Sequence, residues 1–167
     1  FGRIVAMMQF NMYHHYTVDE HIIRCIGMLN RIEQLEATES LPVATEILKS
    51  GVNRRVLYAA LFLHDIGKGT RRDHSELGAE IAERLCPRFG LDAAETATVI
   101  WLVRHHLLMS DTAQKRDISD PVTVRDFADV VRSPERLRLL LVLTACDIRG
   151  VGPGVWNNWK AQLLRNL

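Results

Sequence analysis

The sequence predicts an all-α domain, a helical bundle of roughly seven helices within 167 residues. Apolar residues recur at helical spacing along most of the chain, and β-branched residues are scattered within that spacing instead of alternating as in strands. Helix-start signals recur as well, as two capping-box patterns and two caps followed by proline. The sequence has neither an internal repeat nor a low-complexity tract, so we expect a single domain over residues 1–167.

The first half of the chain contains four predicted helices. The first, from Thr17 to about Leu35, places apolar residues on one face. The next three are bounded by residues that commonly start and stop helices. They run from Pro42 to Gly51, from the cap Asn53 to Ile66-Gly67, and from the Asp73-x-x-Glu76 pattern to Pro87 and Gly90.

The second half repeats these signals. The pattern Asp92-x-x-Glu95 precedes the helical stretch TATVIWLVRHH. Two further helices start where Asp120-Pro121 and Ser133-Pro134 place a cap before a proline at the first helical position. An amphipathic pattern after Pro153 predicts a last helix, whose apolar residues are Val155, Trp156, Trp159 and Leu163.

Charge and hydropathy exclude several classes of function. Lys and Arg number 21 against 20 Asp and Glu, and this balance gives no reason to expect nucleic acid or an anionic membrane as a partner. The apolar run LRLLLVLTACDI is too short to span a bilayer. Three cysteines without a C-x-x-C pattern suit the reducing cytoplasm. The chain starts without methionine and in mid-pattern, so we expect a domain excised from a longer multidomain protein.

Acidic and imidazole groups lie on apolar faces of the predicted helices. His21, His64 and Asp65 have apolar neighbours at helical spacing, and Asp147 lies one turn after Leu143 in the most apolar helix. An unpaired buried carboxylate is costly, so Asp147 must be protonated, paired with Arg149 or Arg104, or bound to a metal ion. Histidines and carboxylates without a cysteine pattern suit Mn²⁺, Fe, Zn²⁺ or Mg²⁺.

Each of these residues also has an ordinary structural explanation. A single inward histidine is usually hydrogen-bonded in the core, and we keep that interpretation, or simple exposure, for His14 and His15. The pair His105-His106 suits a helix C-terminus as well as it suits a ligand. The basic residues after His64-Asp65 would suit a solvated loop. Their joint occurrence favours a functional site.

The pattern as a whole resembles a known family. His21, His64-Asp65 and Asp147, each in its own helix, resemble the core ligands of the HD superfamily of metal-dependent phosphohydrolases. His74 and His105 or His106 match the extra ligands of two-metal members. Longer blocks resemble the HD domain of bacterial bifunctional uridylyltransferase/uridylyl-removing enzymes. They are YHHYTVDEH, LHDIGKG, DHSELGAEIAERLCPRFGL, WLVRHHLLMSDTAQKRDI and SPERLRLLLVLTACDIRGVGPGVWNNWKAQLLR.

The resemblance implies a function and a setting. In that family a nucleotidyltransferase domain adds UMP to a tyrosine of the PII nitrogen-signalling protein, the HD domain removes it by hydrolysis, and ACT domains sense glutamine. Only the HD part is expected in this chain. The implied partner is uridylylated PII, the implied cofactor is a divalent metal, Mn²⁺ before Mg²⁺, Fe or Zn²⁺, and the implied location is the cytoplasm.

We also expect roles for individual residues. Asp65 would be the catalytic bridge between two ions, because a carboxylate has two oxygens to offer. Lys68 would stabilise charge on the phosphoryl group, and Arg71 and Arg72 would guide the phosphate or meet acidic groups on the protein substrate. The resemblance supplies the ligand set. The metal ligands would be His21, His64, Asp65, His74, His105 or His106, and Asp147.

The sequence departs from some members of the superfamily. LLMSD follows the double histidine where cyclic-dinucleotide members have Gly-Tyr-Pro, and Thr17 replaces a glutamate that binds a third metal in some of them. Two alternatives remain at this stage. One is a phosphohydrolase acting on free nucleotides or cyclic dinucleotides, and the other is a non-catalytic regulatory HD module.

Overall fold

The computed structural model describes residues 1–8 and 16–151, and these form an all-α bundle. In chain order the helices are α1 (Val18–Glu33), α2 (Pro42–Lys49), α3 (Arg54–Leu63), α4 (His74–Leu85), a 3₁₀ helix (Cys86–Phe89), α5 (Ala93–Arg104), α6 (Leu108–Lys115), α7 (Pro121–Val131) and α8 (Pro134–Gly150). The described part contains no strand element beyond an isolated bridge between Met8 and Thr17. The predicted fold class is confirmed.

One helix was not predicted from the sequence, and one predicted helix lies outside the described residues. Helix α6 was not predicted as a separate helix, because it spans only eight residues and its N-terminus has no side-chain cap. The predicted helix after Pro153 lies outside the described residues, as do His14 and His15.

The predicted caps define most helix starts. Asn53 accepts a hydrogen bond from the Val56 amide, and Asp120 accepts one from the Val122 amide. Of the two capping-box patterns, the one at Asp92 forms both reciprocal hydrogen bonds. The Glu95 amide donates to the Asp92 side chain at 2.8 Å, and the Asp92 amide donates to the Glu95 side chain at 3.0 Å. At α4 the cap Asp73 accepts two amide hydrogen bonds, whereas Glu76 pairs with Arg104. These caps satisfy amides that the helices leave unpaired.

Helix α8 is the centre of the bundle. It packs against α1, α2, α3, α5, α6 and α7. Its core positions are fully buried, among them Leu139, Leu140 and Leu143. Because α8 packs along α1 and α3 meets both, polar residues on the facing sides of these helices are brought together inside the bundle.

Cys25, Cys86 and Cys146 are free thiols that are buried in the bundle. None of the helices in residues 1–8 and 16–151 combines the length and the hydropathy that crossing a membrane requires.

The central position of α8 generates a stability prediction. Replacing Leu140 by Ala should lower the free energy of unfolding by about 2–5 kcal/mol, because the side chain is fully buried and its removal leaves a cavity. Urea denaturation followed by circular dichroism measures this. The control Val124→Ala, at an exposed position of α7, should change the free energy by less than about 0.5 kcal/mol. Equal effects of the two substitutions would contradict a core centred on α8.

Candidate metal centre

His64 and Asp65 stand at the end of α3, in the middle of the bundle. His64 follows the last helical residue, Leu63, and both polar residues are almost fully inaccessible, at 0% and 1% exposure. The turn after them packs tightly against α4. A Cβ at Gly67 would collide with the backbone carbonyl of His74, so the missing side chain lets α4 approach Asp65.

The first ligand group joins three helices. His21 from α1, His64 from the end of α3 and Asp147 from α8 converge. His21 Nε2 lies 2.9 Å from Asp147 Oδ1 and 3.3 Å from His64 Nε2. His64 Nε2 lies 3.6 Å from the same Asp147 oxygen. Three distant segments thus present nitrogen and oxygen atoms to one small volume.

The second ligand group is formed by α4 and the end of α5. His74 is the first residue of α4, and His106 lies in the turn after α5. Their Nε2 atoms are 3.3 Å apart, and they lie 3.8 Å and 3.7 Å from Asp65 Oδ1. Asp65, His74 and His106 could together hold a second ion.

Asp65 lies between the two groups. Its Oδ2 is 3.6 Å from His21 Nε2, 3.5 Å from His64 Nε2 and 2.6 Å from the Lys68 ammonium, while Oδ1 faces the second group. Within the described residues, this buried Oδ1 accepts no hydrogen bond. A buried carboxylate oxygen without a partner costs about 1–3 kcal/mol or more. A divalent cation between Oδ1, His74 and His106 would remove that cost, so these residues fit a metal ion.

Backbone carbonyls orient two of the imidazoles. Nδ1 of His64 lies 2.7 Å from the Leu61 carbonyl, and Nδ1 of His106 lies 2.7 Å from the Val103 carbonyl. A carbonyl only accepts, so each Nδ1 keeps its hydrogen and each Nε2 is the atom that can bind either a proton or a metal ion. This arrangement is typical of metal-ligating histidines.

Burial and charge set the protonation of the cluster. Burial by itself lowers the pKa of His64, but Asp65 and Asp147 outweigh it and raise that pKa to about 9. Burial lowers the pKa of His106 to about 4, with the charge of His64 as a second cause. Burial alone would raise the pKa of Asp147, but hydrogen bonds from His21 and His64 hold it well below its usual range. A proton on His64 therefore balances the carboxylates when no cation does.

Cys25 adjoins the first group, although it was not among the predicted site residues. Its Sγ lies 3.6 Å from Nε2 and 3.8 Å from Nδ1 of His21. A sulfur nearly equidistant from both ring nitrogens lies beside the ring and away from the Nε2 lone pair, so it packs against the ligand. Burial raises the pKa of this thiol well above its usual value. Gly150 allows this packing, since a Cβ there would collide with Cys25 Sγ and lie 3.2 Å from His21 Nδ1.

The structure places the remaining predicted residues apart from the two groups, except Lys68. His105 stacks at a tilt on Trp101, with ring centroids 5.0 Å apart. Arg71 is exposed, and Arg72 forms an exposed two-bond pair with Glu80. The alternative partners of Asp147 are occupied elsewhere. Arg104 pairs with Glu76, and one Arg149 amino group lies 3.5 Å from the Ser40 carbonyl.

The protonation of His64 generates a pH prediction for the metal-free chain. A pKa raised from 6.5 to about 9 means that the folded state holds a proton that the unfolded state releases as the pH rises above 6.5. Stability should therefore fall by about 1 kcal/mol between pH 6.5 and 7.5, below the range in which cysteines of the unfolded chain ionise. Urea denaturation at each pH, in the presence of a chelator, measures this change in the free energy of unfolding. The variant His64→Gln should lose this slope, and an equal slope in that variant would assign the effect to other groups.

Comparison with known proteins is consistent with this geometry. Residues 18–133 match the model of the HD domain family. Over its whole length the chain is 71% identical to the bifunctional uridylyltransferase/uridylyl-removing enzyme of Cereibacter sphaeroides, 68% to that of Ruegeria pomeroyi and 64% to that of Novosphingobium aromaticivorans. The chain spans 18% of the length of each of these relatives. The chain belongs to the HD domain family, and its relatives are bifunctional uridylyltransferase/uridylyl-removing enzymes.

Proposed function

We propose that this domain hydrolyses the phosphodiester between UMP and a tyrosine of the PII nitrogen-signalling protein, with divalent metal ions as cofactor. The observation that carries the proposal is the position of Asp65, whose two oxygens face two separate histidine groups. The names of the relatives, which include a uridylyl-removing activity, support the choice of reaction.

The described residues would hold two ions. His21, His64, Asp147 and Asp65 Oδ2 would bind one, and His74, His106 and Asp65 Oδ1 would bind the other. When bound, the ions would supply electrophilic activation of the phosphoryl group and acidify the attacking water. Mn²⁺ is the ion that we propose first, and the donor set also accepts Mg²⁺, Fe or Zn²⁺.

We propose that Lys68 acts on the substrate phosphate. Its side chain is 13% exposed, and its ammonium lies at the edge of the cluster, 2.6 Å from Asp65 Oδ2. A cation on Asp65 would weaken the attraction between that carboxylate and the ammonium, which could then also contact a phosphoryl oxygen. Arg71 is the better candidate of the two arginines for contact with the substrate, because Glu80 already engages Arg72.

The leaving group needs little help from an acid. The tyrosine hydroxyl that is released has an unperturbed pKa near 10, well below that of an alkyl alcohol. The role of the protein residues is therefore to orient the phosphodiester and balance its charge. No described residue needs to be assigned as a general acid.

The proposal extends to the whole protein. We propose that residues 1–167 are a single HD domain of a longer cytoplasmic chain that also carries nucleotidyltransferase and ACT domains. Uridylylated PII would be its protein substrate.

Replacing Asp65 by Ala tests the reaction. The variant should release UMP from uridylylated PII more than about 100-fold more slowly than the unchanged chain, because both ions lose a ligand, whereas loss of an outer-shell partner already costs 10–100-fold. Chromatographic measurement of released UMP, with Mn²⁺ added, follows the reaction. Helicity should be unchanged by circular dichroism.

The controls for this assay separate the alternatives. Asp111→Ala, at a half-exposed side chain paired with Lys115, should leave turnover unchanged. If the chain hydrolyses free nucleotides or cyclic dinucleotides but not uridylylated PII, those nucleotides are its substrates and the proposed substrate is wrong. Metal binding without any hydrolysis would indicate a regulatory module. Equal turnover by Asp65→Ala and the unchanged chain would end the proposed mechanism.

The adjacent histidines give a matched pair of variants. His106→Ala should lower the Mn²⁺ stoichiometry of the chain, because His106 is buried beside Asp65 and His74. His105→Ala should leave it unchanged, because that ring lies against Trp101. Equilibrium dialysis with metal analysis measures both. The reverse order of effects would make His105 the ligand.

A further inference from the structure

The two ligand groups differ in the number of atoms that they offer to an ion. The first group has His21, His64 and Asp147, and Asp65 Oδ2 lies 3.5–3.6 Å from its two imidazoles. The second has His74, His106 and Asp65 Oδ1. An ion in the first group would meet four protein ligands and an ion in the second would meet three, which leaves more open coordination positions at the second.

The two groups also differ in charge. The first contains Asp147 and shares Asp65, whereas the second contains two imidazoles and only the shared carboxylate. A divalent ion in the first group would neutralise both carboxylates. A later ion would then enter a site whose negative charge is already balanced, close to another dication and to the Lys68 ammonium.

Exposure follows the same order. The side chain of His74 is 25% exposed, compared with 16% for Asp147 and 2% and 0% for His21 and His64. His74, in the second group, is therefore the member of the two groups that a ligand in solution can reach most readily.

We propose that the two ions bind in sequence, the first tightly to the group of His21, His64 and Asp147, and the second weakly to the group of His74 and His106 unless a phosphate ester binds with it. The inference rests on the proposed function. Two dications, two carboxylates and Lys68 together carry an excess of positive charge, and an anionic phosphate bound at the second ion's open positions offsets it. Because coupling between two ligands is reciprocal, the substrate strengthens binding of the second ion and that ion strengthens binding of the substrate.

Mn²⁺ titration of the metal-free chain tests this inference. Electron paramagnetic resonance measures free Mn²⁺, with and without UMP, the phosphate monoester that the proposed reaction would release. We expect two steps, the first at least about tenfold tighter than the second. At a matched free Mn²⁺ concentration, saturating UMP should increase the Mn²⁺ affinity of the second step by about tenfold. The Mn²⁺ affinity of the first step should not change.

Two variants assign the steps. His74→Ala should keep the tight step, lose the weak one and lose the effect of UMP. Asp147→Asn should lower the Mn²⁺ affinity of the tight step. Circular dichroism is the control that each variant remains folded. Two equivalent steps, or a second step that UMP does not move, would overturn sequential binding and leave the proposed function standing. A chain that binds no Mn²⁺ in either step would contradict both sequential binding and the proposed function.

Discussion

The carboxylate of Asp65 is the constraint on which the rest of the site depends. It lies inside an apolar bundle, with one oxygen beside His21, His64 and Lys68 and the other buried without a hydrogen bond in the described part of the chain. Such a group is stable only when positive charge or hydrogen-bond donors lie beside it. Lys68 and His64 supply positive charge at Oδ2, whereas Oδ1 faces the imidazoles of His74 and His106, whose pKa values burial lowers.

Close helix contacts make this convergence possible. Helix α8 carries Asp147 to His21 because α1 and α8 pack together over much of their length. Gly150 permits that approach beside Cys25, and Gly67 permits the equivalent approach of α4 beside Asp65. Helix packing therefore sets the distances between the side chains within each group. The candidate ligands come from segments up to 126 residues apart in sequence, as in the hydrogen bond between His21 and Asp147.

Much of this architecture could be predicted from the sequence, and the limits have physical causes. Caps, prolines and helical spacing predicted most helices, and the apolar surroundings of Asp147 predicted a buried acid in need of a partner. The choice between His105 and His106 could not be made, because regular helical geometry ends at Arg104 and the direction of the next side chains depends on the turn. In the structure the carbonyl three residues earlier orients His64 and His106 alike, but the sequence around His105 offers the same carbonyl and could not have distinguished the two. The spacing of four residues puts Cys25 on the same helix face as His21, but whether its sulfur binds a metal ion or packs against the imidazole depends on its position relative to the ring.

The ammonium of Lys68 has a consequence for the life of the protein before it acquires metal. Because it sits 2.6 Å from Asp65 and can serve as an internal counter-ion, the newly made chain does not have to capture an ion in order to complete its bundle. The bundle can therefore form before any metal ion binds, and any ion that the cavity takes up would depend on the supply available to the folded chain.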